Sequence, residues 1–288
     1  MRSSSNAWTE VRSPSHGSVY DFDKSELIEA LQSQRGRTME LLRGASDAEW
    51  EQEIVPRWRL REVASHLITT DEGTITGRVL TAGLTRSADS TMIAKVEAWN
   101  DRQVGRWADR PVSEILAGLE KWSRRLERLA RVVPSFVGRP AVITPFGRVS
   151  LLWLTSLRVY DEWIHNEDIR RALGRPSDDA PSSVRPVARM IEAGIPVQTT
   201  IKIPKGKLGR VALAFDDAEL PKLTLDRGAR TFGLGVESSD ALVTGRTAAI
   251  AMIAAHRDPW RETEASGGLK VEGDRTVAEV LLDALTLV

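Results

Sequence analysis

The chain has 288 residues, with 40 basic and 40 acidic side chains, 41% hydrophobic residues and no cysteine. This composition excludes wholesale disorder, and a formal net charge of zero argues against the basic surface that broad nucleic-acid binding requires. Without cysteine there are no disulfides, no cysteine zinc clusters and no cysteine nucleophile, so any thiol chemistry must use a thiol supplied from outside.

Residues 1–21 read as a polar, serine-rich arm without periodicity. They contain no apolar core of a signal peptide, and no later stretch approaches the roughly 18–20 apolar residues of a membrane span. A cytoplasmic protein without membrane segments is expected.

From Asp23 the pattern turns helical, with Leu27, Leu31 and Leu41 at helix-compatible intervals. A second helix is predicted from near Trp58, carrying LREVASHLITTDEGT. A third covers STMIAKVEAWNDRQVGRW, and a fourth opens at Pro111 with Leu116, Leu119, Leu126 and Leu129 on related faces. The fifth and most apolar spans about Gly147 to Leu173 and stops at Gly174.

After the linker RPSDDAPSSVRP the texture changes. One short helix, VARMIEAGI, precedes runs that read as strands: GRVALAFDD, KLTLDRG and TFGLGVESS. TGRTAAIAMIAAHR reads as helix, GLKVEGD as strand and TVAEVLLDALTLV as a final amphipathic helix. The expected class is therefore α plus α+β: a helical bundle over 22–178, then a smaller α+β domain over 179–288.

Four histidines are present. His16 lies in the arm, and His256 sits near a helix end, where a cation meets the dipole favourably. His165 differs. On the fifth helix, Asp161 and His165 are one turn apart, and Asp168 falls on the same arc as Leu154 and Leu157. A carboxylate on a core-facing stripe must be paired or neutralised.

A metal ion would compensate it, with Asp161 and His165 from one helix and His66 from a facing one. Two histidines and a carboxylate suit zinc and leave a fourth position open, although ferrous iron accepts the same set. Plainer roles compete. Asp161 or Asp168 can pair with Arg158, Arg170 or Arg171, and His66 can be a core-edge histidine beside Leu60, Val63 and Leu67. Glu162 lies about 100° round the helix from Asp161 and fits the constellation less well. Trp58 and Trp163 adjoin the two segments and are expected to line a pocket for a cofactor.

These segments carry a family resemblance. RWRLREVASHL resembles the tryptophan-to-His-Leu element of DinB-like metal-binding bundles. DEWIHNEDIRRALGRP is similar to the second signature of the mycothiol-dependent maleylpyruvate isomerase family, abundant in actinobacteria. That family joins a DinB-like up-down four-helix bundle to a sterol-carrier-like domain, which the α+β tail resembles. The resemblance implies zinc held by His66, Asp161 and His165, with aspartate standing where the family pattern has glutamate. It also implies a substrate-binding, catalytic role for Arg257 at the end of the AAHR helix.

The implied function is a zinc-dependent enzyme that activates a low-molecular-weight thiol, mycothiol, for S-transfer to a small electrophile or for its cis–trans isomerisation. Asp168 would support His165 from behind. The partners are small molecules, with no nucleic acid and no membrane, and the chain is a monomer or homodimer. A non-catalytic lipid- or small-molecule-binding module and a thiol-independent zinc hydrolase stand as alternatives.

Overall fold

The computed structural model describes residues 9–12, 17–78, 90–132, 142–144, 147–149, 151–203, 209–229, 231–235 and 238–287. The chain divides into two compact units, Asp23–Asp178 and a second made of Asp179–Val288 with the N-terminal stretch to Phe22.

The first unit is helical. Its long elements are α1 (Lys24–Arg43), α3 (Leu60–Thr76), α4 (Ser90–Ala108), α5 (Val112–Val132) and α6 (Leu151–Ala172), with a single turn α2 (Asp47–Trp50) after α1. Asp23 starts α1 by accepting from the Glu26 amide, and Ser46 with Glu49 forms a reciprocal capping box on α2. Leu42, Leu60, Val63, Leu67, Ile68, Ile115, Leu119 and Ile169 make a continuous buried core from α1, α3, α5 and α6. Helix α4 packs along α3. A two-stranded ribbon, β2 (Glu53–Val55) with β3 (Trp58–Arg59), leads into α3 and fixes where Trp58 emerges.

The fifth predicted helix starts later than its apolar pattern suggests. Residues Gly147–Val149 form strand β5, paired antiparallel with β4 (Val142–Thr144), and α6 begins only at Leu151. The β-branched run Val142, Ile143 and Thr144 pairs with a segment ending in Val149, a composition that favours extended backbone.

The second unit is α+β. Six strands run in the order β1-β8-β7-β6-β9-β10. They are β1 (Thr9–Glu10), β6 (Arg210–Phe215), β7 (Leu223–Asp226), β8 (Thr231–Leu234), β9 (Ala241–Gly245) and β10 (Leu269–Gly273). Pairs β1/β8 and β6/β9 are parallel, and the remaining neighbours are antiparallel. Helix α10 (Arg275–Ala284) packs on β6, β9 and β10, while α7 (Pro181–Lys202) packs on α8 (Thr247–Ala254) and α10, and the short α9 (Trp260–Ala265) lies beside β10.

Two expectations need correction here. Part of the supposed arm is a sheet edge: Thr9 and Glu10 align with Thr231 and Phe232, and the Val11 amide donates to Phe232 O. The Glu10 carboxylate accepts from Ser18 Oγ and the Val19 amide, which closes this segment on itself. Helix α7 is also far longer than VARMIEAGI. It starts at Pro181, where a missing amide costs nothing, and continues through Pro186 and Pro196. Its buried face of Val184, Val187, Met190, Ile191 and Ile195 outweighs the loss of two helical hydrogen bonds. Strand β9 and helices α2 and α9 are not anticipated by the sequence pattern.

Candidate metal centre

Helices α3 and α6 face each other in the first unit and carry the candidate ligands. His66 lies in the second turn of α3, after a start at which the Glu62 carboxylate accepts from the Arg59 amide and guanidinium. Asp161 and His165 are successive turns of α6. One donor atom from each of the three residues lies within 4.8 Å of the others. His66 Nε2 is 3.7 Å from Asp161 Oδ2, and His165 Nε2 is 3.8 Å from Asp161 Oδ1.

These separations are too long for hydrogen bonds between the groups. They come within a few tenths of an ångström of the roughly 3.4 Å expected between donors of a tetrahedral zinc site with bonds of about 2.1 Å. The three side chains therefore converge without satisfying one another, and their donor set fits a divalent ion.

The surroundings bias the charge states of His66 and Asp161. His66 is buried, and burial lowers its pKa below the ordinary imidazole value more than Asp161 raises it, which favours the neutral ring a metal ligand needs. Burial alone would raise Asp161, but Arg158, then His66 and His165, hold its carboxyl far below the usual range. The Arg158 guanidinium donates Nη1–H to Asp161 Oδ2. Its Nε and Nη2 donate to Asp71 Oδ1 on α3, at 3.3 and 3.2 Å. Behind Asp71 stands Arg35 of α1, with Nη2 at 2.8 Å from Asp71 Oδ2 and 2.7 Å from Glu162 Oε2.

Arg35, Asp71, Arg158 and Glu162 thus form a buried ionic chain across three helices, ending on Asp161. Glu162 also accepts from Thr38 Oγ1, and burial raises its pKa despite the nearby Arg35. Its engagement with α1 agrees with its expected position away from the ligand arc.

The other expected residues divide clearly. Trp58 lies beside the triad: its ring is 5.1 Å from that of His66 and 6.3 Å from that of His165, and the two imidazoles are 4.9 Å apart. Asp168 Oδ2 is 3.3 Å from His165 Nδ1, the nitrogen away from the triad. Trp163 is placed differently. It is fully buried, two residues from either α6 ligand and so about 200° round the helix, and it offers no surface to a bound molecule.

Arg257 belongs to the second unit. It follows α8, where its amide donates to Met252 O and its Nη1–H to Ala255 O. Among the sequence expectations, the Asp161–Arg158 pair and a convergence of Asp161 with His66 and His165 were alternatives, yet both are present at once. Arg35 and Asp71 were missed altogether.

Residues 31–170 match the family model described as "Mycothiol maleylpyruvate isomerase N-terminal domain". Among solved structures, the chain resembles a mycothiol-dependent maleylpyruvate isomerase at 17% identity and a histidine-to-alanine mutant of that name at 16%. Each match has a TM-score of 0.55 and covers 89% of this chain and 96% of the other. No curated protein matches. At such identities the solved structures speak to fold, and they do so for both the helical and the sheet-containing parts. The family match spans α3 and all three candidate ligands, so the helical unit carries the mycothiol maleylpyruvate isomerase N-terminal domain.

Proposed function

We propose that the protein is a zinc-dependent enzyme that activates a low-molecular-weight thiol, mycothiol, for isomerisation of a small electrophile or S-transfer to it. The convergence of His66, Asp161 and His165 on one point carries this reading. The family match of the helical unit points to the thiol, and a chain with no cysteine supplies no sulfur nucleophile of its own.

His66 Nε2, His165 Nε2 and an Asp161 oxygen would hold the ion. When bound, it would lower the pKa of a coordinated thiol and favour the nucleophilic thiolate at neutral pH. The protein's own residues prepare that site. Burial keeps His66 neutral, and Arg158 keeps Asp161 anionic. Asp168 sits where it can orient the His165 ring. The Trp58 ring covers both imidazoles and limits water around them.

Isomerisation would follow from reversible addition of the thiol to an activated double bond, and S-transfer from displacement of a leaving group. Arg257 is assigned the orientation of an anionic substrate by analogy with the family pattern alone. Purified protein is to be assayed with mycothiol and maleylpyruvate, then with other small electrophiles, each with and without zinc. Turnover that needs both thiol and metal supports the proposal. Thiol-independent hydrolysis, or a metal-free protein carrying copurified lipid, would replace it with one of its rivals.

A further inference from the structure

We propose that Arg158 is a positioning residue that reserves one oxygen of Asp161, so that a metal receives this carboxylate through a single oxygen. The inference rests on the metal reading above and adds a residue that is neither ligand nor substrate contact.

A free aspartate presents two equivalent oxygens and can bind an ion through one or both. Here they are not equivalent. Oδ2, which lies 3.7 Å from His66 Nε2, accepts from Arg158 Nη1, while Oδ1 is the oxygen nearer His165 Nε2, at 3.8 Å. Arg158 cannot readily swing away, because its remaining nitrogens are tied to Asp71 Oδ1 on the opposite helix. Asp71 is in turn held by Arg35 of α1. All three partners behind the ligand are buried, at 5% exposure or less, so water does not compete for these bonds.

Aspartate is one methylene shorter than glutamate and has less freedom to present either oxygen. Locking Oδ2 therefore fixes both the direction of the carboxylate and the number of its donor atoms. An ion limited to one carboxylate oxygen and two imidazoles keeps an open position for an incoming thiol. If both oxygens bound, that position would be crowded.

The test replaces zinc with cobalt(II), whose visible absorption is strong in four-coordinate sites and weakens as coordination number rises. Wild-type protein, titrated with cobalt(II) alone, is expected to give the intense four-coordinate spectrum. Arg158→Met should lose much of that intensity as the second oxygen joins, and Arg158→Lys, which keeps one donor near Oδ2, should restore most of it. Circular dichroism of each variant reports whether the bundle is intact.

Should Arg158→Met not fold, Asp71→Asn addresses the same point, since it leaves Arg158 in place but weakens its anchor. A partial fall in intensity is then expected. An unchanged spectrum in the folded Arg158 variant, or in Asp71→Asn, overturns the proposal while leaving the metal reading intact. Wild-type protein that binds no cobalt overturns both.

Discussion

The Trp58 ring lies over His66, with centroids 5.1 Å apart and planes inclined by 39°. Trp58 is held there by the β2/β3 ribbon, and it is only partly buried while His66 is 4% exposed. One face of the indole thus covers the imidazoles and the remainder is open to a ligand. Trp58→Ala should leave zinc content unchanged and raise KM for the thiol about tenfold, equivalent to about 1.4 kcal/mol. Loss of zinc from this variant would make Trp58 a support for the ligands instead of a binding surface.

Arg35 neutralises two buried carboxylates, Asp71 and Glu162, through a single guanidinium nitrogen. Removing one partner of a buried ion pair typically costs about 3–5 kcal/mol, because the other charge is left without compensation. Arg35→Met should destabilise the protein by about that amount in urea unfolding. Combining it with Glu162→Gln should recover part of the loss. A near-neutral Arg35→Met would show that water or protonation compensates these carboxylates.

In the second unit, Glu192 of α7 is fully buried and its pKa is raised from 4.5 to about 7, mainly by desolvation and against the pull of Arg189. Its Oε2 accepts from Arg189 Nη1 at 2.8 Å, while Oε1 is buried without a hydrogen-bond partner among the described residues. A carboxyl with a raised folded pKa stabilises the fold in its protonated form. That contribution is complete below about pH 4.5 and is lost as pH rises through about 7, up to about 3 kcal/mol in all. Glu192→Gln should remove this dependence, so that the variant outlasts the wild type in thermal melts at pH 8 and matches it more closely at pH 5. Parallel melting curves across that range would contradict the assignment.

Asp161 stood out because it interrupts an apolar stripe, and a charge facing a core demands a partner; the family resemblance is what singled out the candidate set with His66 and His165. The same signal was present twice more and was not used. Arg35 continues the arc of Leu27 and Leu31, and Asp71 falls one turn after Leu67. What sequence could not supply was the pairing: Arg35 and Asp71 are 36 positions apart, and Asp71 and Arg158 are 87 apart. The helices were readable from a 3.6-residue period. The late start of α6 and the full length of α7 were not, because a β-hairpin and a buried face override local pattern. Strand β1 is only two residues long, and its place is set by β8, more than 200 residues away.

Elemental analysis of the untagged protein beside His66→Ala and His165→Ala tests the metal triad most directly. About one zinc per chain in the wild type is expected, with loss from both variants and little change in helical circular dichroism. Full zinc occupancy in both variants, or none in the wild type after reconstitution, would contradict it.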